Sequence, residues 1–322
     1  MKMKKFIVSC CLFTTTLFAN EGLNSIFENI LLKNSKQSVL DIQNVKKSIE
    51  NDDQKEISQS FKNFVKSWKS VDSFYILGDL DDNYLDTPRY IDTFHQGNED
   101  IKKQLDLIIQ GDEDLSISLY KNSHKTINAL EYILFTQDLK NKRVKNIALL
   151  ITDKLEENLE EIYNGYLENK TKFLKDEATA NAMMLNSLIE NSYKLKEWRV
   201  GDPSGLSRKY KGNPSNERAE YSISQNSIVA IESILNTHLL VLDTQKFSNF
   251  GSMIRSYNVS DELNDAVKYL KQSLQNSKEI KKDDFSNSKK LYKSLKKLHA
   301  TYYISLIGKL KVTAKILDAD GD

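Results

Sequence analysis

The chain reads as an all-α protein, and three features of its 322 residues carry that reading. Proline, which breaks helices, occurs only at Pro88, Pro203 and Pro214, leaving long uninterrupted stretches elsewhere. Those stretches repeat apolar residues at intervals of three and four. Leu149, Leu150, Leu155, Leu159, Ile162, Tyr163 and Tyr166 fall on one helical face, with Glu156, Glu157, Glu160 and Glu161 largely off it. No run alternates with period two for long enough to suggest a sheet.

Taken in order, the first element is a targeting segment. Lys2, Lys4 and Lys5 precede the apolar stretch Phe6 to Phe18, and Leu17-Phe18-Ala19 offers a small-residue cleavage site. The stretch is too short and too rich in Ser and Thr to span a bilayer, so a cleaved secretory signal over residues 1–19 is expected. The alternative is a lipid-anchored envelope protein, because Ile7-Val8-Ser9-Cys10 fits a lipobox, although only three apolar residues separate Lys5 from Ser9-Cys10. Helices are then predicted over 23–50, 54–77, 112–136, 140–173, 177–198, 218–244, 259–280 and 284–317. The segments 78–111 and 199–217 contain Pro and Gly and read as irregular; both are longer than a bundle turn requires. Eight helices divide into four and four, with a boundary near Lys172–Glu177. Two domains are expected, 20–174 and 175–322, and each ends in a long helix with one interior glycine, Gly165 and Gly308.

Composition excludes several classes. Both cysteines, Cys10 and Cys11, lie within the signal, so neither a disulfide nor a thiolate metal site is expected in the mature chain. Removing Lys2, Lys4 and Lys5 from the 46 basic residues leaves 43 against 45 acidic ones. Such a balance carries no bulk signal for nucleic acid or an anionic membrane. No later stretch is apolar for long enough to make an integral membrane protein. Export without disulfides points to the periplasm.

The common catalytic signatures are missing: no zinc helix of the His-Glu-x-x-His type, no nucleophile elbow, no P-loop, no dinucleotide fingerprint. Four histidines (His95, His124, His238, His299) rule out a histidine-rich metal centre. The acidic run Glu156 to Glu161 reads as a solvated face, Asp318 to Asp322 as a frayed acidic tail, and Lys289 to Lys297 as an amphipathic helix.

The informative segment is Ser123-His124-Lys125-Thr126-Ile127-Asn128-Ala129-Leu130-Glu131-Tyr132-Ile133-Leu134-Phe135. It resembles the signature helix of the imelysin-like family, Gly-x-His-x-x-Glu followed by an aromatic residue and leucines. Glu131 matches the motif glutamate and Tyr132 to Phe135 its apolar tail, whereas Thr126 stands at the glycine and Asn128 at the histidine. Glu220-Tyr221-Ser222-Ile223-Ser224-Gln225-Asn226-Ser227 is similar to the family's second motif through Glu220, Ser224, Asn226 and Ser227; Tyr221-Ser222 replaces its Ser-Pro. Asp202-Pro203-Ser204-Gly205 resembles the loop before that motif, and Trp68 stands at a family tryptophan. The resemblance runs from about residue 25 to 317.

The resemblance implies two four-helix-bundle-like domains, with the signature helix 112–136 and the second motif facing each other near the interface. It also implies iron uptake or a peptidase activity, since the family includes both. On one continuous helix His124, Asn128 and Glu131 would share a stripe, and His124 could supply the imidazole missing at Asn128, although about 10 Å of rise separates it from Glu131. Glu131, His124 and Glu220 are therefore the candidate metal ligands, for a divalent metal or iron, with Asn128, Ser224, Asn226 and Ser227 lining the site. A catalytic zinc generally needs three protein ligands and an open position, and Asn128 offers only a neutral oxygen. The leading expectation is a non-enzymatic, iron-linked binding protein whose partner is a metal ion, a small ligand or an envelope iron-uptake component. The alternatives are a metallopeptidase and an envelope scaffold that docks on a protein partner.

Overall fold

A computed structural model describes residues 21–97 and 99–315. The expected signal with Cys10 and Cys11 and the acidic tail Asp318 to Asp322 lie outside the described residues. Within them every regular element is helical. We number ten helices: α1 (Lys33–Glu50), α2 (Gln54–Asp72), α3 (Ile101–Gln110), α4 (Ile127–Thr136), α5 (Lys142–Lys175), α6 (Glu177–Lys194), α7 (Ser227–Leu242), α8 (Phe250–Ser256), α9 (Ser260–Ser277) and α10 (Lys289–Ala300). Among the described residues no helix is long and apolar enough to cross a membrane.

Helix starts follow capping chemistry. The side chains of Asp53, Asn141 and Asp176 accept backbone N–H bonds at the first turns of α2, α5 and α6, satisfying donors that a helix leaves open. Along α5 the buried stripe is Val144, Ile147, Ala148, Ile151, Leu155, Leu159, Ile162 and Tyr166, while Leu150 turns to solvent.

Three π-helical runs extend the expected helices without breaking them: Phe27–Leu32 into α1, Leu195–Gly201 out of α6 and Thr301–Leu306 out of α10. The second carries the chain on to a helical turn, Asp202–Ser204, so the predicted irregular segment 199–217 begins later than its proline suggested. Pro203 sits in the first turn of that piece, where its missing N–H is harmless, and Gly205 ends it at φ 68° in the left-handed region.

Two other expectations change. The segment 78–111 contains α3, whose amphipathic pattern buries Leu105. The predicted helix 112–136 is three pieces: a turn at Leu115–Ser118, a 3-10 turn at Asn122–Lys125, and α4.

In the first half α1 lies between α2 and α5, and in the second α9 lies between α7 and α10. The halves meet where α7 packs along α2. There Ser233 donates to the Lys66 carbonyl at 2.6 Å, and the hydroxyls of Ser70 and Ser233 are 3.1 Å apart. The buried apolar side chains form one cluster that runs from Leu23 to Leu306.

Candidate functional site

At the C-terminal end of α2 a lysine occupies a core register. Phe61, Val65 and Lys69 are spaced by four on one helical face, and all three are buried. Lys69 is 1% exposed, and its ammonium lies 2.6 Å from Asp92 Oδ2, 2.7 Å from Glu220 Oε1 and 3.2 Å from Asp72 Oδ2. Arg199, from the π-helical run, sends Nε to Glu220 Oε2 at 2.6 Å and Nη2 to Asp72 Oδ2 at 3.1 Å. Asp92 Oδ2 also accepts from Trp68 Nε1 at 3.0 Å and from the Tyr221 hydroxyl at 3.1 Å, while the Phe94 N–H donates to Oδ1. Burial alone would discharge such groups, but their mutual attraction outweighs it. Lys69 is held above the ordinary lysine range by Asp72, Asp92 and Glu220, and Asp92 well below the carboxylate range by Lys69.

This network joins the two halves of the chain, because Lys69, Asp72 and Asp92 come from the first and Arg199, Glu220 and Tyr221 from the second. It also explains the late start of α7, which was expected at 218. Glu220 and Tyr221 are drawn into the network, and the intervening turn places Tyr221 at φ 56° and Gln225 at φ 55°. Left-handed geometry at non-glycine residues costs on the order of 1 kcal/mol each and persists only when the surroundings enforce it. The helix begins at Ser227, where the Asp283 carboxylate accepts from the N–H groups of Ser227 and Ile228 at 2.6 and 3.2 Å.

Glu131 reaches the same turn from the other side. It is buried, and its Oε1 accepts from the Ser224 N–H at 2.9 Å and the Ser224 hydroxyl at 2.7 Å. Among the described residues no donor reaches its second oxygen. Burial raises the Glu131 carboxyl to about 7 despite the two bonds from Ser224, and the charge of nearby Glu220 adds to the rise. Asn226 Nδ2 donates to the Ser224 hydroxyl at 2.9 Å, and the buried Ser227 hydroxyl has no partner among the described residues. The structure thus brings Glu131, Glu220, Ser224, Asn226 and Ser227 to one turn.

His124 is not part of that group. Thr126 is extended (φ −110°, ψ 168°) and caps α4 by accepting the Ala129 N–H, so the helix starts three residues after His124. The single stripe expected for His124, Asn128 and Glu131 is therefore broken. His124 Nε2 pairs instead with Gln104 of α3 at 2.7 Å. Asn128 Oδ1 accepts from the N–H and hydroxyl of Thr93 at 2.8 and 3.0 Å, fixing the loop after Asp92. A threonine before an apolar run is the signal that could have placed this cap.

The expected ligand set does not fit a three-ligand metal centre. Both Glu220 oxygens are taken by cations, His124 is engaged elsewhere, and among the described residues no group of three His, Cys, Asp or Glu side chains could hold a metal ion. Reading the sequence also missed Lys69, Asp72, Asp92 and Arg199. The available signal was a lysine on the apolar stripe of α2, since a charge at a core position demands partners.

A second feature missed in the sequence is His95, which adopts φ 60° in the loop that Asn128 fixes. Its ring stacks on Trp198 with centroids 4.6 Å apart and planes 3° from parallel, and Nε2 lies 2.9 Å from Asp202 Oδ2. The Asp202-Pro203-Ser204-Gly205 segment thus contributes its aspartate to the same seam.

Residues 29–302 match the family model described as imelysin, of the peptidase M75 group. The chain belongs to the imelysin family. Two solved structures share the family fold. An imelysin-like protein from Psychrobacter arcticum 273-4 superposes with a TM-score of 0.77 at 14% identity, over 94% of this chain and 98% of that one. A protein designated an iron-regulated protein A precursor, from Parabacteroides distasonis ATCC 8503, gives 0.70 at 14% identity, over 91% and 94%. No curated protein matches this chain by sequence. Glu131 and Glu220, which carry the resemblance in sequence, flank the 221–226 turn, Glu131 bound through one oxygen by Ser224 and Glu220 neutralised by Lys69 and Arg199.

Proposed function

We propose that this imelysin-family chain is a non-enzymatic binding protein of the cell envelope that serves iron acquisition. It is exported to the periplasm by a signal cleaved after Ala19. Its ligand-contacting element is Glu131 with the turn Ser224 to Ser227. The observation that carries this reading is the Glu131 carboxylate: deeply buried, held through one oxygen by Ser224, with the other oxygen unshared. That second oxygen keeps some contact with solvent, which leaves it open to an incoming ligand. The orphaned Ser227 hydroxyl lies in the same segment. Likeness to an iron-regulated protein A precursor is consistent with an iron-linked role.

Peptidase chemistry is disfavoured by the donor set. Asn128 stands at the motif imidazole and spends its oxygen on Thr93, while Glu220 is bound to two cations. No third ligand accompanies Glu131, so zinc-activated water has no support in these residues.

The test titrates purified mature protein with ferrous iron and with ferric citrate, in wild type and Glu131→Ala, and assays a peptide mixture with and without zinc. Iron or ferric citrate should bind the wild type and be lost from Glu131→Ala, with no peptide cleavage in either. Chelator-sensitive cleavage that Glu131→Ala abolishes would establish a metallopeptidase instead. Equal iron binding by both proteins, or none by either, would also overturn the proposal. Intact mass of the exported protein should place its first residue at Asn20; an acylated N-terminal cysteine would make it lipid-anchored.

A further inference from the structure

The chain is nearly balanced in charge, but folding gathers a cationic surface from two distant segments. The loop 206–218 and the stretch 278–290 together hold nine Lys and Arg against four Asp and Glu, whereas the rest of residues 20–322 holds 34 against 41. The two segments adjoin in space: Asn216 donates to Asp284 Oδ1 at 3.4 Å and accepts from the Phe285 N–H at 3.0 Å. Among the described residues the only ion pair in either segment joins Lys290 to Glu279 at 2.9 Å. Arg208, Lys209, Lys211, Lys281, Lys282 and Lys289 are exposed and stand unpaired. Two of the acids beside them are occupied, since Asp283 caps α7 and Asp284 accepts from the Ser286 N–H and Asn216.

This surface is braced. Lys209 and Arg218 stand 5.6 and 4.2 Å from the Tyr210 ring centre, Arg218 donates to the Asn213 carbonyl, and the Gly212 N–H closes the loop on the Gly205 carbonyl at 2.9 Å. In the second segment Lys282 and Asp283 both take left-handed φ, 51° and 52°, a strained turn that the Asp283 cap on α7 enforces. The first turn of α10 has no acidic residue, so the positive end of its dipole adds to the same field. We infer that this face docks the protein reversibly on an anionic lipid bilayer, through the headgroup phosphates. Five of the six unpaired cations are lysines, hydrated point charges suited to a diffuse anionic surface rather than to the bidentate forks of nucleic-acid recognition. Protein interfaces are depleted in lysine and centre on aromatic anchors, whereas the one aromatic ring here, Tyr210, is taken up by cations of its own loop. A bilayer is the surface that an exported envelope protein meets, and to that extent the inference rests on the reading above.

The test is co-sedimentation of the mature protein with vesicles of equal parts phosphatidylglycerol and phosphatidylcholine, and with vesicles of phosphatidylcholine alone. Wild type should bind the first and not the second. Binding should be present at about 0.1 M sodium chloride and lost at about 1 M, where the screening length shrinks from about 10 to about 3 Å. Lys209→Gln/Lys211→Gln and Lys281→Gln/Lys282→Gln should each weaken binding roughly tenfold or more, since a cation near such a surface contributes about 1 kcal/mol. All four positions are exposed, so circular dichroism should be unchanged. Lys33→Gln/Lys36→Gln, at exposed positions of α1, should bind as wild type does. Glu131→Ala should also bind normally, so that failure of the iron reading and failure of this one are told apart. Equal binding to both vesicle types, or equal weakening by the α1 pair, overturns the inference. So does binding to polyglutamate without binding to the vesicles, which would assign the face to an acidic protein.

Discussion

At the scale of single residues, the molecule sets two buried acids side by side and treats them oppositely. Glu220 is neutralised by Lys69 and Arg199, whereas Glu131 meets only the neutral donors of Ser224. The difference shows in titration. Burial raises the folded-state Glu131 carboxyl from 4.5 to about 7, so the folded protein holds its proton more tightly than the unfolded chain does. That contribution to stability is fully present below pH 4.5 and is lost as pH rises towards 7. It amounts to on the order of 3 kcal/mol at most. Glu131→Gln keeps an acceptor for Ser224 and resembles the protonated acid, so it should flatten the stability profile across this window and be the more stable protein above pH 7. Urea unfolding at a series of pH values measures it; an unchanged slope in Glu131→Gln would show that the titration belongs to another group.

Elements are decided by caps, turns and close approaches. Replacing Thr126 by alanine removes the α4 cap and should cost roughly 1 kcal/mol in urea unfolding without changing the fold. Gly165 and Gly308, which look alike in sequence, part company in space. A Cβ at Gly165 would lie 2.7 Å from the Tyr84 ring and 2.8 Å from a methyl of buried Leu77, whereas one at Gly308 would meet nothing within 4 Å. Alanine favours helix over glycine by roughly 1 kcal/mol, so Gly308→Ala should raise the melting temperature. Gly165→Ala should lower it, because the overlap, roughly 1–3 kcal/mol for overpacking, opposes the propensity gain. Equal shifts of the two midpoints would show that the ring and methyl move aside freely.

Across the whole molecule, the halves are joined by more than a linker. The α2–α7 contact, the Lys69 network and a continuous apolar cluster all cross the seam between them. Calorimetric unfolding is therefore expected as a single transition, and Arg199→Ala should lower that one midpoint rather than split it. Breaking a buried ion pair costs about 3–5 kcal/mol because the partner charges stay behind. Two resolved transitions, only one of them moved by the substitution, would show that the halves unfold separately.

What the sequence determined by itself is what short-range physics controls. Proline placement and three–four apolar spacing decide between helix and strand locally, so the all-helical class and the core of most helices were legible. The family was legible too, through Glu131, the Glu220 to Ser227 stretch and their order in the chain. Tertiary structure alone decided the use of those residues. Whether α4 began before or after His124 depended on the Thr126 cap competing with helix propagation, and Asn128 became a brace for Thr93 rather than a substitute ligand. Glu220 looked in sequence like Glu131. Only packing brought Lys69 and Arg199, respectively 151 and 21 positions away in the sequence, onto its two oxygens. A carboxylate's charge state and availability depend on its neighbours in space, and in a chain closed by long-range contacts those neighbours are not adjacent in sequence.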